Sequence, residues 1–228
     1  MFPGEVSGAL VRAVRDAVAE GEIDVPVPGD VVVFSRGPGI FESPVALRLG
    51  VDPQIIARRV GGVVTGDGFV RVVVPVEQVV EAVVREPLPS LPAGGWDEWP
   101  RTFENPGFSV RYAYARACWV GRWAADLEIR PGSLLDVTEE ELALVGALGD
   151  VPGRARQAER ERDARPFMLC LEKVAEAYHD VHERCPAIPK GDEEPGAVHA
   201  GRVGLAEAVR VVLGNGLNVI GEIPRERI

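Results

Sequence analysis

The sequence predicts an α+β N-terminal domain followed by an all-α helical bundle, over residues 1–85 and 104–228 respectively. In the first part, short β-branched runs alternate with Pro- and Gly-rich turns and with amphipathic segments. After residue 104, every segment repeats apolar residues three and four apart, which is the helical period. Between the two parts, residues 86–103 lose this periodicity and carry four prolines and a Gly-Gly pair. We therefore expect this stretch to be a linker.

The N-terminal domain is expected to follow the order α-β-α-α-β-β-α. Asp52 before Pro53 is typical of a helix start, because Asp caps the free N–H groups and Pro suits the first turn. Gly66-Asp67-Gly68 between two valine-rich runs is a hairpin signature. The predicted elements are a helix over residues 6–19, a strand over 31–34, helices that begin at Pro44 and Pro53, hairpin strands over 61–65 and 69–74, and a helix from Pro75.

Five helices are expected in the bundle. The first carries a seam of mostly small residues from Val110 to Leu127, which lets a neighbouring helix come close. Thr138 followed by Glu141 is a capping box at the start of the second. Gly214-Asn215-Gly216 is expected to stop the fifth. The second, third and fifth helices are predicted over residues 138–148, 152–163 and 201–213, and the fourth carries the apolar stripe from Phe167 to Val181.

The net charge of −10 restricts the partners that the chain can bind. Phosphate is repelled at long range, so neither tight nonspecific binding to nucleic acid nor a DNA partner is expected. RNA recognition would need shape and a local surface of arginine, because lysine occurs only at Lys173 and Lys190. No apolar run reaches the ~20 residues that span a bilayer. With no signal-peptide pattern and an odd number of cysteines, we expect a cytoplasmic protein without a membrane partner.

Several motifs, in order along the chain, resemble one known family. The stretch NPGFSVRYAYARA, residues 105–117, is similar to the start of the anticodon-binding (DALR) domain of arginyl-tRNA synthetases, where Asn-Pro precedes a helix with a Tyr-Ala-x-Ala-Arg core. GRVGLAEAVRVVLGNGLNVIGEIPRERI, residues 201–228, resembles the closing helix of that domain. Between them, LLDVTEEELALVGALGDVP resembles its short helix pair. In the first part, PGIFESPVALRLG is similar to a strand-to-helix segment of the family's N-terminal additional domain.

The resemblance implies tRNA as the partner and five contact residues. In the family, the residues that match Tyr112 and Arg116 lie near the anticodon loop, where aromatic side chains stack on unpaired bases and arginine meets phosphate. The other matches are Tyr178 on the fourth helix, Ile228 at the last position and Phe41 in the N-terminal domain. Structural roles stay open beside these, since Arg116 could cap a neighbouring helix while Tyr112 and Tyr178 pack in the core.

The same resemblance implies no catalytic residues. In the family, a Rossmann-type catalytic domain separates the two matching parts, and here only the linker stands in its place. None of the three histidines lies in an H-x-G-H arrangement and neither lysine lies in a KMSKS-like setting, so we expect no ATP site and no cofactor. His179, His182 and Cys185 lack a fourth ligand at zinc-site spacing, so no metal is expected.

Two functions therefore compete. The first is a non-catalytic protein that recognises or modulates tRNA, with arginine-type tRNA as the first candidate. The alternative is a protein-interaction scaffold or an accessory subunit that no longer binds RNA. The charge of −10 favours the alternative, as does Pro44, which stands where the family has an asparagine that contacts the D-loop of tRNA. Proline has neither a polar side chain nor an N–H with which to make that contact.

Overall fold

Eight helices and four strands form the computed structural model, which describes residues 1–228. The chain divides into two compact units, Met1–Val79 and Val80–Ile228. The first contains an antiparallel sheet with helices, and the second contains only helices beyond its connecting segments. The predicted fold class is therefore confirmed. None of the eight helices has the combination of length and apolar composition that crossing a bilayer requires.

The first unit is built on one antiparallel sheet. Its elements are α1 (Pro3–Ala19), β1 (Phe34–Gly37), β2 (Ile40–Ser43), α2 (Val45–Leu49), α3 (Pro53–Arg59), β3 (Val63–Val64), β4 (Val70–Val73) and α4 (Val76–Arg85), whose residues divide between the two units. The strand order is β1-β2-β4-β3. Strands β3 and β4 pair antiparallel around Gly66-Asp67-Gly68, as the hairpin signature predicts. Helix α1 buries Val6, Leu10 and Val14 at helical spacing.

The first two strands differ from the prediction. The strand predicted over residues 31–34 begins three residues later, at Phe34. The residue patterns placed no strand at β2, although the resemblance of residues 38–50 to a strand-to-helix segment implied one there. The sequence of β2 is Ile-Phe-Glu-Ser, and with the acidic Glu42 it forms neither an apolar run nor an alternating one. Glu42 is nevertheless buried, because Arg36 on β1 and Arg71 on β4 donate hydrogen bonds to its carboxylate at 2.8 and 2.6 Å. These cross-strand ion pairs make a charged residue compatible with the middle of the sheet.

The second unit contains four long helices. These are α5 (Pro106–Asp126), α6 (Glu139–Glu161), α7 (Arg165–Arg184) and α8 (Ala197–Val219). Helix α5 begins at the Asn-Pro pair because the Asn105 side-chain oxygen accepts from the backbone N–H groups of Gly107 and Phe108, at 2.9 and 3.4 Å. The Asn105 amide donates to the carbonyls of Asp97 and Pro100, both at 3.0 Å. One side chain thus caps the helix and fixes the segment before it.

Helix α6 corrects the prediction of two separate helices. The sequence suggested a break between residues 148 and 152, but α6 runs without interruption through Pro152. An internal proline removes one helical hydrogen bond and costs about 3 kcal/mol. Leu148, Val151 and Ala155 on either side of it are almost completely buried. Burial of this continuous apolar face offsets the cost of the proline.

Helix α8 also continues where a stop was predicted. It passes through Gly214-Asn215-Gly216 and ends at Val219. A Cβ atom on Gly214 would lie 3.0 Å from the Tyr114 ring of α5, and one on Gly216 would lie 2.7 Å from Leu171 Cδ2 of α7. The glycines therefore permit close helix packing and do not end the helix.

We expect Gly216→Ala to lower the free energy of unfolding by about 1–3 kcal/mol, the usual cost of overpacking a core. Alanine would favour the helix by about 1 kcal/mol, but its Cβ would displace the side chain of Leu171, which is fully buried among other core residues. Gly153→Ala on α6 is the matched control, since no atom lies within 4 Å of its added Cβ, and it is expected to stabilise. Urea unfolding measures both. Stabilisation by both variants would contradict the close packing of α7 and α8.

Residues 86–103, the predicted linker, form no helix or strand and lie against the bundle. Gly94 N–H donates to the Ile220 carbonyl at 2.9 Å, and Trp96 Nε1 donates to Glu172 Oε1 at 2.6 Å. Trp96 thus holds the segment to the bundle surface. Trp99 is exposed instead, with the Arg101 guanidinium 4.8 Å from its ring centroid.

Candidate nucleic-acid interface

Helix α5 has two functionally different faces. One is the predicted seam, which is buried against the rest of the bundle at Val110, Ala113, Ala117, Val120 and Ala124. Its last predicted member, Leu127, is instead 46% exposed at the helix end. The other carries a stripe of large side chains at spacings of four, three and four residues. This stripe consists of Tyr112, Arg116, Trp119 and Trp123. Trp119 is 36% and Trp123 47% exposed, so indole surface faces solvent on a helix whose other side is core.

The stripe forms one wall of a groove of about 480 Å³, here called the aromatic groove. Helix α7 contributes His182, and the segment after α8 contributes Arg227 and Ile228. The lining residues are Tyr112, Ala115, Arg116, Trp119, Trp123, His182, Arg227 and Ile228. The groove therefore joins parts of the chain that are more than 100 residues apart in sequence.

Arginine and aromatic side chains alternate along the groove. The Arg116 guanidinium carbon lies 4.6 Å from the Tyr112 ring centroid. Trp119 has two such neighbours, Arg122 at 5.0 Å and Arg227 at 5.9 Å. The Trp119 and Trp123 rings are 5.8 Å apart and inclined by 42°. Aromatic side chains stack on unpaired bases, and arginine contacts their phosphates or their ring faces. Both residue types are therefore suited to single-stranded nucleic acid.

Arg116 is held in place by α7. Its Nη1 donates to His179 Nδ1 at 3.4 Å and lies 3.6 Å from a carboxylate oxygen of Glu183. His179 Nε2 in turn donates to the Ser109 carbonyl at 3.1 Å, which leaves Nδ1 unprotonated and able to accept. Burial lowers the pKa of His179 and of His182, and the Arg116 charge lowers both further. At neutral pH the positive charge of the groove therefore comes from arginine.

A second, smaller cavity of about 220 Å³ adjoins the groove and shares Arg227 and Ile228 with it. We call it the arginine pocket; its lining residues are Glu98, Arg101, Phe108, Arg111, Arg225, Arg227 and Ile228. Arg101 and Arg225 both pair with Glu98, at 3.1 and 3.5 Å. Arg111 donates to both oxygens of Glu222 at 2.9 Å. Arg227 has no carboxylate partner.

The two cavities together carry a surplus of positive charge. Five arginines line them, and three glutamates either line them or pair with those arginines. Counted over side chains alone, the surplus of two positive charges contrasts with the formal net charge of −10 on the whole chain. RNA recognition by an acidic chain needs a local arginine surface, and this face has that character.

The five predicted contact residues are distributed unevenly. Tyr112, Arg116 and Ile228 all line the aromatic groove. Tyr178 is only 2% exposed in the bundle core, beside His182 with ring centroids 5.9 Å apart, and its hydroxyl has no hydrogen-bond partner within the chain. Phe41 on β2 is 3% exposed in the core of the first unit. Both side chains are packing residues in this structure, so we leave them out of the interface.

Besides Ala115, four groove residues were not predicted. These are Trp119, Trp123, His182 and Arg227. The first two had a detectable signal, because they continue the Tyr112–Arg116 spacing along the exposed face of a helix whose seam was identified correctly. His182 and Arg227 had none, because their positions beside α5 depend on how α7 and the C-terminal segment pack.

The remaining titratable groups form no second centre. No group of three His, Cys, Asp or Glu side chains is arranged to hold a metal ion. The three cysteines are buried and unpaired. Burial raises the pKa of Cys118 and raises that of Cys170 to about 12, so both remain thiols at neutral pH.

Comparison with known proteins finds the same region. The model of the DALR anticodon binding domain matches residues 110–228, which include every residue of the aromatic groove. An arginine–tRNA ligase of Clavibacter sepedonicus is 38% identical over 133 residues, which cover 56% of this chain and 24% of that protein. The Thermus thermophilus arginyl-tRNA synthetase structure matches at 24% identity with a TM-score of 0.46, over 56% of this chain and 22% of that one. The chain thus spans about a quarter of the length of these relatives.

Proposed function

The chain belongs to the DALR anticodon binding domain family, and from that premise we propose that it binds tRNA through the aromatic groove. The observation that carries the proposal is the convergence of Tyr112, Arg116 and Ile228 on one groove. The sequence resemblance selects these three residues without reference to the groove. The groove is defined by geometry without reference to the resemblance.

The chemistry of the groove supports an unpaired RNA loop as the ligand. Stacking of a base on an aromatic side chain contributes about 1–3 kcal/mol and tolerates any base. Arginine adds contacts to phosphate, and each such contact makes binding weaken as salt rises. Because the whole chain carries a charge of −10, long-range attraction is absent and recognition must depend on these short-range contacts.

The finer part of the proposal is that this chain recognises tRNA without charging it. The ligase name belongs to relatives of which the chain spans about a quarter. The three histidines all lie in the bundle, on α7 and α8, and His179 is engaged in holding Arg116. The two lysines are not placed near either cavity that carries the surplus arginine charge. The residues of the interface offer aromatic faces and guanidinium groups, which can bind bases and phosphate.

The test is binding of arginine-type tRNA, other tRNAs and an unrelated stem-loop RNA of equal length, measured by fluorescence anisotropy at about 50 and about 200 mM salt. We expect tRNA to bind about tenfold more tightly than the unrelated stem-loop, a difference equal to roughly one more base stacked in the groove. Equal affinity for all RNAs would overturn the proposal. Native protein that carries a stoichiometric protein and no RNA would favour the scaffold or accessory-subunit function instead.

A further inference from the structure

We infer that Trp119 and Trp123 form a second stacking subsite, which receives another unpaired RNA base while Arg227 contacts the adjoining phosphate. The inference rests on the proposed function, in that the ligand is RNA. It adds a position that lies beyond the Tyr112–Arg116 end of the groove. The supporting observations are the geometry of α5 and of the segment after α8.

Both indoles keep solvent-exposed surface that a base can contact, although Arg122 and Arg227 lie near the Trp119 ring. They lie one helical turn apart with ring centroids separated by 5.8 Å, and both are more than a third exposed. Neither indole N–H donates a hydrogen bond within the chain, so neither ring is held by the polar contact that fixes Trp96 to Glu172. An amphipathic ring with a free N–H on a solvated surface has both a face and an edge to offer a base.

The subsite is separate from the first one. Trp119 and Trp123 follow Tyr112 by seven and eleven positions on α5, which places them about 10 and about 16 Å further along the helix axis. One base cannot cover the stripe from end to end. A run of consecutive unpaired nucleotides can, with successive bases on successive aromatic faces.

Charge favours RNA over a protein as the occupant. Arg122 beside Trp119 is already paired with Glu226, whereas Arg227 on the same ring has no carboxylate partner. On its other side Arg227 borders the arginine pocket, where Arg101 and Arg225 share the single carboxylate of Glu98. A guanidinium without a side-chain carboxylate partner, next to two neighbouring indoles, fits a phosphate that follows a base.

The test uses the full chain and the tRNA that binds it best, with a short single-stranded RNA as a second probe. We expect Trp119→Leu combined with Trp123→Leu to weaken binding of both probes by about tenfold. RNA should also quench the tryptophan emission of the unaltered chain, and this quenching should disappear in the double variant. Trp119→Phe with Trp123→Phe should retain most of the affinity, because the rings can still stack.

Trp99→Leu is the matched control, since Trp99 is the other strongly exposed tryptophan and lines neither cavity. It should change affinity by less than about twofold. Unchanged affinity and quenching in the double variant, with tRNA still bound by the unaltered chain, would overturn the second subsite and leave the proposed function standing. Absence of RNA binding by the unaltered chain would overturn both. If the double variant lost binding to an acidic protein and kept its binding to RNA, the inference would also be overturned.

Discussion

Replacing Arg202 with methionine is expected to lower the free energy of unfolding by about 3 kcal/mol, because it leaves a buried carboxylate without its counter-charge. Arg202 Nε donates to Glu141 Oε1 at 2.8 Å, and the Glu141 side chain is only 1% exposed. Arg202 also donates to the Pro186 carbonyl at 3.2 Å. It thereby links α8 both to the start of α6 and to the loop after α7. Urea unfolding followed by circular dichroism measures the change.

Two further variants identify the cause of this loss. Arg210→Met removes a half-buried arginine from the same helix, where it pairs only with Glu207 one turn away, and should change stability by less than about 1 kcal/mol. Adding Glu141→Gln to Arg202→Met should recover part of the loss, because the uncompensated charge is gone and the amide oxygen still caps Thr138. Equal destabilisation by Arg202→Met and Arg210→Met would show that the buried pair of Arg202 and Glu141 contributes no more stability than the pair of Arg210 and Glu207.

Arg116→Gln is expected to weaken tRNA binding by about tenfold and to reduce the salt dependence by about one phosphate contact. The guanidinium lies 4.6 Å from the Tyr112 ring, and its position is fixed by His179 and Glu183. A cation held in this way loses little conformational entropy when a phosphate binds. Glutamine keeps much of the side-chain volume but removes the charge. Anisotropy titrations at several salt concentrations measure both the affinity and the slope.

The controls separate a local effect from a change in total charge. Arg160→Gln alters net charge equally on α6, which contributes no residue to either cavity, and should leave affinity within about twofold. Arg116→Lys keeps the charge but loses the planar fork and should recover only part of the affinity. If Arg160→Gln weakened binding as much as Arg116→Gln, the arginine surface would act through net charge alone. If Arg116→Gln did not change the affinity, the Tyr112–Arg116 end of the groove would not be part of the interface.

Local signals predicted much of the fold. The capping box at Thr138 and Glu141 is present with both of its hydrogen bonds, at 2.8 and 3.2 Å. The Gly66–Gly68 hairpin and the α5 seam are also as expected. Each of these depends on residues a few positions apart, which is the range over which sequence patterns carry information.

The wrong predictions share a different physical origin. Pro152, Gly214 and Gly216 were interpreted from their backbone preferences, yet each lies inside a helix because packing against other helices outweighs those preferences. β2 was not recognised from the residue pattern because a buried Glu42 is explained only by Arg36 and Arg71, which belong to other strands. In each case the deciding contact joins residues from different elements.

The residues of the candidate site also differ in whether a local sequence pattern could indicate them. Tyr112 and Arg116 are adjacent on one helix turn, so a sequence motif could select them together. Tyr178 belongs to the same resemblance, but its core stripe places the ring out of contact with solvent. Arg227 reaches Trp119 only because the last segment returns to α5, a contact between residues more than 100 positions apart. No local pattern could have indicated it.

The return of that last segment makes ligand binding and chain ordering linked equilibria. The segment is anchored by Arg111, whose guanidinium holds both oxygens of Glu222, and by Arg122, which pairs with Glu226. Arg227 and Ile228 follow these anchors and complete both cavities. A ligand that touches Arg227 must therefore favour the docked segment over the released one. By reciprocity, docking of the segment on α5 raises the affinity for that ligand by the same free energy by which the bound ligand stabilises docking.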